Sequence, residues 1–235
     1  MPIKYLTEES VDPYHNLAAE WVLTENVPRG TCILYLWQNR RTVVIGRNQD
    51  PFAECRVEEF TGSGGKIARR KSGGGAVYHD LGNLNYSFIY DLRDGYENAY
   101  REILLPVLSA AGIPAEFNER NDILFDGRKI SGYASFETGT KACRHGTLLL
   151  DTDIGEMEQW LTPDREKMER HRIRSVSSRV INLKEIRKDL TVEKMIRLFA
   201  DASGGMELEN RPDTRKVAEA EKHFACREWI MGGQE

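Results

Sequence analysis

The sequence predicts an α+β domain in which a mixed, largely antiparallel β-sheet is flanked by α-helices. Three observations carry that expectation. Strand-like and helix-like segments mix without the regular βαβ alternation of a doubly wound sheet. The glycine-rich segment at residues 72–76 runs into a strand-like stretch instead of opening a helix. With 235 residues, 40% of them hydrophobic and 30% charged, the chain is long enough for one large core and short for two domains and a linker. A single unit over residues 1–235 is therefore expected.

The elements follow in order. After Asp12-Pro13, residues 14–25 place Leu17, Ala18, Trp21 and Val22 at helical spacing, with Asp12 available as a cap. Two β-rich runs at 31–37 and 42–46 are joined by Gln38-Asn39-Arg40-Arg41, which has the length and polarity of a hairpin connection. Short helical character appears at 53–60. Residues 66–90 read as strand, glycine loop, strand, turn and strand, with Asp80-Leu81-Gly82-Asn83 as the turn. An amphipathic helix over 96–111 ends at Gly112 and is bent or interrupted by Pro106. Strands are expected at 115–118, at 123–136 broken by Asp126-Gly127, and at 145–151. The rest, from Gly155, is mainly helical with a polar stretch at 171–178.

Composition narrows the function classes. No apolar run approaches the roughly 20 residues of a membrane-spanning helix. The first twenty residues lack the pattern of a secretory signal, and Cys32, Cys55, Cys143 and Cys226 form no C-x-x-C pair. A cytoplasmic protein without disulfides or structural zinc is expected. A net charge of −4 gives no general reason to bind nucleic acid. The basic clusters at 66–71 and 165–179 lie in Gly- or Ser-rich segments, which suits a small anionic ligand such as a nucleotide.

The strongest local signal is Arg69-Arg70-Lys71-Ser72-Gly73-Gly74-Gly75-Ala76-Val77-Tyr78-His79-Asp80. Each glycine costs about 1 kcal/mol of ordering relative to alanine, so three in a row bring a plain surface loop little benefit. Bare backbone lets main-chain N–H groups converge on an anion, while flanking cations add charge-assisted bonds. The spacing matches neither the P-loop nor G-x-G-x-x-G. A second segment, Arg120-Asn121-Asp122 through Lys129-Ile130-Ser131-Gly132, reads as a strand placing Lys129, Ser131 and Tyr133 on one face and Ile130, Gly132 and Ala134 on the other. A third, His145-Gly146-Thr147, puts His145 and Thr147 on one face of another strand. Taken alone, Lys129 reads as a sheet-edge lysine and His145 as a structural histidine.

Together these segments resemble the lipoate–protein ligase family, within the biotin/lipoate ligase and octanoyltransferase superfamily. The resemblance runs from Asp12-Pro13-Tyr14-His15-Asn16-Leu17-Ala18 through Leu36-Trp37-Gln38-Asn39, Val43-Val44-Ile45-Gly46-Arg47-Asn48-Gln49 and the glycine loop. It continues through Asn121-Asp122, Lys129 and His145-Gly146-Thr147 to Leu161-Thr162-Pro163 and residues 175–183. It implies a biotin/lipoate ligase-like fold and ATP-dependent conversion of lipoate to lipoyl-AMP, followed by transfer to a lysine of an acceptor domain.

The resemblance also implies the site. Lys129 would be the catalytic lysine, stabilising charge as pyrophosphate departs and as the acceptor amine attacks. Arg70, Ser72, Gly73, Gly74, Gly75 and Ala76 would surround the lipoate carboxylate and its phosphate, with Trp37, His79 and His145 shaping the acyl tunnel. Val77, Asn121, Asp122, Ser177 and Ser178 would join Lys129 around the nucleotide, with Mg2+ near Asp122. Residues 171–178 would cover the adenylate. The acceptors implied are lipoyl domains of 2-oxo acid dehydrogenase E2 subunits and the glycine-cleavage H protein. The longest family members carry a C-terminal accessory domain after the Glu-Trp-x-x-Gly region, which here is Glu228-Trp229-Ile230-Met231-Gly232. Its absence points to a separate small accessory subunit or to use of preformed lipoyl-AMP.

Three alternatives stand beside this. A lipoyl or octanoyl transferase would need a cysteine nucleophile, and neither usual position carries one; Cys143, two residues before His145, is the one thiol to watch. A non-catalytic sensor of lipoate would have little need of Lys129 together with the triple glycine. Biotin ligases have a differently arranged glycine loop.

Overall fold

The computed structural model describes residues 3–119, 122–162 and 180–232. A large sheet forms from β1 (Ile3–Thr7), β2 (Cys32–Trp37), β6 (Asn83–Asp91), β7 (Glu116–Phe117), β8 (Ile123–Phe125), β9 (Arg128–Thr138) and β10 (Lys141–Leu149), in the order β1-β2-β6-β10-β9-β8-β7. Only the β1–β2 pair of this sheet is parallel. A smaller sheet has the order β4-β3-β5, from β3 (Thr42–Ile45), β4 (Lys66–Arg69) and β5 (Val77–His79). The expected class, an α+β fold with a mainly antiparallel sheet flanked by helices, is the fold observed.

The large sheet is buried on both faces, which explains the unbroken apolar run of β2. Ile33, Tyr35 and Trp37 face a core shared with α1 (Pro13–Asn26) and the small sheet. Leu34 and Leu36 face a second core built with α4 (Ala99–Ala110) and α7 (Val192–Ala202). The helix α1 begins where expected, with Pro13 in its first turn and Asp12 accepting from the Tyr14 N–H. Pro106 lies inside α4 without ending it. The short helices α2 (Pro51–Glu54) and α3 (Val57–Gly62) fill the expected helical stretch, and α5 (Ile154–Trp160) and α6 (Leu183–Ile186) follow the sheet. The described chain closes with α8 (Thr214–Phe224), which packs along α1, and α9 (Arg227–Gly232), which reaches β4.

Two expectations need correction. The runs at 31–37 and 42–46 do not form a hairpin, because β2 pairs with β1 and β6 while β3 is the central strand of the other sheet. Their connection is pinned elsewhere: Asn16 Nδ2 donates to the Gln38 carbonyl and to Asn39 Oδ1, and the Arg40 N–H donates to the Val11 carbonyl. Those contacts fasten the linker to the start of α1 and carry the chain from one sheet into the next.

The second correction concerns the face of Lys129. Leu124 pairs with Lys129 but Ile123 pairs with Ser131, a register shift that leaves Ile130 as the extra residue of a β-bulge. Ile130 packs in the α4–α7 core, and Ser131 meets the Tyr86 hydroxyl at 2.9 Å within the same region. Lys129 is thereby turned to the side of Gly132, against which its Nζ packs. A strictly alternating strand would have set the lysine opposite Gly132.

Candidate functional site

Strand register lays out the floor of a cleft. Trp37, Asn85, Thr147 and Gly132 are directly paired across β2, β6, β10 and β9, and Tyr35, Ser87, His145 and Ala134 form the neighbouring row. Both rows face α1 and the small sheet. The glycine loop between β4 and β5 forms the roof. Gly74 has φ of +91°, and a Cβ built on it would come within 4.0 Å of the Ala134 Cβ. A Cβ on Gly46 would lie 2.2 Å from the Gly74 carbonyl oxygen, so the chain just after β3 and the loop touch through bare backbone. A Cβ at Gly73 or Gly75 would meet nothing within 4 Å, so the protein's own packing does not demand glycine there.

Between floor and roof lies a cavity of about 150 Å³. Of the residues expected at the site, Trp37, Arg70, Gly74, Gly75, Ala76, Val77, His79, Lys129 and His145 border it. Ser72 lies behind the wall as a hydrogen-bond partner of His145, and Gly73 does not border the cavity. Asp122 pairs with Lys129 at 2.8 Å. Asn121, Ser177, Ser178 and residues 171–178 as a whole lie outside the described residues. Leu17, Val44, Asn85, Gly132, Tyr133, Ala134, Gly146 and Thr147 also border the cavity, although nothing in the sequence assigned them a role in the site.

Arg70 is committed to holding the loop. Its Nε donates to Ser72 Oγ at 2.9 Å, Nη1 to the Val44 carbonyl at 3.2 Å, and Nη2 to the carbonyls of Gly73 and Gly75 at 2.7 and 2.8 Å. Burial pulls its pKa down to about 10, against the opposing pull of Glu20, which leaves it charged at neutral pH. Drawing two loop carbonyls inward in this way sets the orientation of the intervening peptide groups.

Glu20, which sequence reasoning missed, lies beneath the row of His145. Its Oε1 accepts from Ser87 Oγ at 2.5 Å and faces His145 Nδ1 at 2.8 Å, while Ser87 Oγ accepts from Trp37 Nε1 at 3.1 Å. His145 Nε2 meets Ser72 Oγ at 2.7 Å, so a relay runs from Glu20 through His145 and Ser72 to Arg70. Burial alone would raise the Glu20 pKa, but the adjacent His145 and the bonds from His145, Ser87 and Cys143 outweigh it and hold the carboxyl below its ordinary range. The only hint in the sequence was a glutamate on the apolar side of an otherwise ordinary helix.

Cys143 is fully buried beside Glu20, and burial, then the glutamate charge, pushes its thiol well above the ordinary value. A protonated, enclosed thiol is a poor nucleophile. Glu20, Cys143 and His145 place potential ligand atoms within 4.8 Å of one another, but their mutual hydrogen bonds already account for the grouping. Mg2+ prefers oxygen ligands and commonly takes one or two carboxylates with substrate phosphates. Asp122 could serve as such a ligand alongside triphosphate oxygens, at the expense of part of its contact with Lys129.

The root of the roof is fastened to the C-terminal helices. Arg69 donates to the carbonyls of Gly46, Arg47, Gln49, Trp229 and Ile230, and its own carbonyl accepts from Trp229 Nε1. The Lys71 ammonium sits 4.1 Å from the centre of the Trp229 ring and 5.2 Å from that of Trp21.

A sheet floor, a bare glycine roof and a bulge-turned lysine surround one cleft, and comparison with known proteins gives the class of the chain that carries it. Residues 12–203 match the lipoyl protein ligase A/B catalytic domain, and the chain belongs to that family. It is similar to a "Probable lipoate-protein ligase A" of Mycoplasma pneumoniae, 37% identical over 97% of this chain and 70% of the relative. It is also similar to the lipoate-protein ligase A of Blochmanniella pennsylvanica, 41% identical over 82% of this chain and 58% of the relative. Among solved structures it superposes on P. falciparum LipL1 in complex with lipoate, with a TM-score of 0.80 and 27% identity over 99% of this chain and 75% of that one. It shares the fold of a bi-partite lipoate protein ligase from Thermoplasma acidophilum, described with its E2 lipoyl domain, with a TM-score of 0.82 and 24% identity over 100% and 97% of the two chains. The enzyme class is that of the lipoate–protein ligases.

Proposed function

We propose that this chain binds lipoate across the large sheet, joins its carboxylate to AMP from ATP, and passes the lipoyl group to a lysine on an acceptor lipoyl domain. One observation carries the reading: the Lys129 ammonium and the bare backbone of Gly74 and Gly75 border one cavity, with Lys129 beside Gly132 and Gly74 beside Ala134 on the same strand. In the first step a lipoate carboxylate oxygen attacks the α-phosphorus and the bond to pyrophosphate breaks. In the second, the acceptor amine attacks the acyl carbon and AMP leaves.

Both steps build negative charge beside the reacting carboxyl, where a fixed ammonium is worth more than in water. Asp122 would orient Lys129 until a phosphate competes for it. Arg70, Ser72 and His145 act on the loop from behind, while Ala76, Val77, Trp37 and His79 shape the space for acyl chain and nucleotide. No cysteine borders the cavity, so the transferase reading lacks a nucleophile among the described residues. Mg2+ would accompany the triphosphate. The acceptors expected are E2 lipoyl domains, of the kind described with the Thermoplasma neighbour, and the glycine-cleavage H protein.

The test is pyrophosphate release with lipoate and ATP, run beside transfer from preformed lipoyl-AMP to a lipoyl domain. Lys129→Met should lower both rates about 100- to 1,000-fold while the protein stays folded. Full turnover by that variant would overturn the reading. Transfer from lipoyl-AMP without adenylation from ATP would assign the first step to a separate accessory subunit.

A further inference from the structure

The large sheet closes off one side and leaves part of the other open. On the first side, β1 is covered by residues 206–208, where the Tyr5 N–H donates to the Met206 carbonyl and the Leu208 N–H to the Tyr5 carbonyl. On the second, β8 pairs with β9 only as far as Ser131, and among the described residues no strand lies beside β9 from Gly132 to Thr138 on that side. Alternation decides which backbone groups are left over. Gly132 faces β10, since its N–H lies 3.3 Å from Thr147 Oγ1 and its carbonyl oxygen 2.3 Å from where a Cβ on Gly146 would stand. The β9–β10 register runs without a slip from Ser131 to Thr138, so the N–H and C=O groups of Tyr133, Ser135 and Glu137 point out of the edge. Ser135 and Glu137 are exposed. Open edges are ordinarily guarded by lysine, proline or a bulge; past its bulge at Ile130 this strand has none of these, and Glu137 is its one charge.

The open edge starts at the cavity. Gly132, Tyr133 and Ala134 border it, Lys129 Nζ packs against Gly132, and Gly74 of the roof comes down at Ala134. Because the cavity-side positions of β9 there are glycine and alanine, no bulky side chain of this strand stands between the edge and the space beside Lys129. A strand added to the edge would lie about 4.8 Å from β9, and an extended lysine side chain reaches roughly 6 Å from its Cα. Residues paired across strands point to the same face, so a lysine opposite Gly132 or Ala134 would cross β9 on the cavity side and bring its amine beside Lys129.

We infer that the free edge of β9 is where the acceptor docks: the lysine-bearing segment of the lipoyl domain adds to it as an extended strand, bonded to the backbone of Tyr133, Ser135 and Glu137. This rests on the proposed function and names how its protein substrate is held. Main-chain pairing supplies affinity with little demand on the partner's sequence, while the register selects which side chain enters the cavity. A second copy of this chain is the competing occupant. Residues 132–138 contain no lysine, so a copy paired through the same segment would bring no amine to the site.

Amide exchange of the whole chain, followed by NMR with and without an apo E2 lipoyl domain, tests the pairing directly. The domain should slow exchange of the Ser135 and Glu137 amides by about tenfold or more. Ser135→Pro and, separately, Glu137→Pro remove an outward N–H at edge positions that tolerate proline. Each should raise the Michaelis constant for the lipoyl domain, in transfer from preformed lipoyl-AMP, by about tenfold, while lipoate binding by calorimetry stays within about twofold. Ser135→Ala, which keeps the N–H, should leave both unchanged. Binding of the domain without slowed exchange, an acceptor Michaelis constant within about twofold of the unmodified chain's in both folded proline variants, or the same protection from self-association in sedimentation of the chain alone would overturn the docking. Failure of the unmodified chain to transfer lipoyl from lipoyl-AMP would instead overturn the proposed function. Should a proline variant fail to fold by circular dichroism, the other variant and the exchange measurement on the unmodified chain still decide.

Discussion

Replacing Arg69 by methionine should be among the most damaging single changes in this chain, although Arg69 does not border the cavity. Its side chain, 1% exposed, makes six hydrogen bonds of 2.8–3.0 Å to five carbonyls drawn from two distant parts of the chain. A bond from a charged donor is worth about 1.5–3 kcal/mol, but these share acceptors, and losing a buried charge also removes its desolvation cost. The net loss should be about 4 kcal/mol, close to what breaking a buried charged network costs. For a chain of this length that lowers the melting temperature by roughly 8–16 °C. Guanidinium denaturation and thermal melts of Arg69→Met and Arg69→Lys beside the unmodified protein measure it, with lysine intermediate because a point charge cannot reach both groups of carbonyls. Because Arg69 immediately precedes the segment that leads into the glycine loop, the Michaelis constant for lipoate should rise in Arg69→Met even at temperatures where it is folded. A loss below about 1 kcal/mol, or a lysine variant as stable as the unmodified protein, would refute this account of the loop's anchorage.

Other expectations follow from particular contacts. Gly46→Ala would put a Cβ 2.2 Å from the Gly74 carbonyl oxygen and should cost at least about 2 kcal/mol together with most lipoate binding, read by denaturation and calorimetry. His79 is neutral in the fold with its pKa lowered from 6.5 to about 3, so the unfolded chain takes up its proton first and stability falls as pH drops through that window. Between pH 6.5 and 4 this should amount to about 3 kcal/mol, seen as a smaller acid loss in His79→Asn than in the unmodified protein; equal losses would count against it. Cys143→Ser should keep ligation within about twofold and show no acyl adduct by mass spectrometry, since the thiol is enclosed and protonated.

The lining of the cavity was partly legible because several of its residues fall in short recognisable segments. The glycine loop, Trp37, His79 and His145 were found by motif and resemblance, and nine of the expected residues border the cavity. What sequence could not supply were relations between strands. The hairpin expected after Trp37 failed because a four-residue polar linker suits both a turn and a change of sheet; Asn16, more than twenty residues earlier, decides between them. Alternation put Lys129 on the wrong side of β9 because a bulge leaves no mark in the residues that make it. Glu20 was invisible for a related reason, since its partners Ser87 and His145 lie on strands far along the chain. The five-residue β1 was missed because a short edge strand carries little pattern of its own.

The placement of lysine and glycine loop on different sheets has an evolutionary consequence. On the proposed reading the groups around the carboxyl gather where β9 meets the loop, while Trp37 borders the cavity three strands away. Substitutions in the β2 and β6 rows can lengthen, shorten or recharge the tail's berth while the bond-making apparatus stays put. A lineage could thus exchange one fatty acid for another by small steps, each intermediate retaining its capacity to acylate.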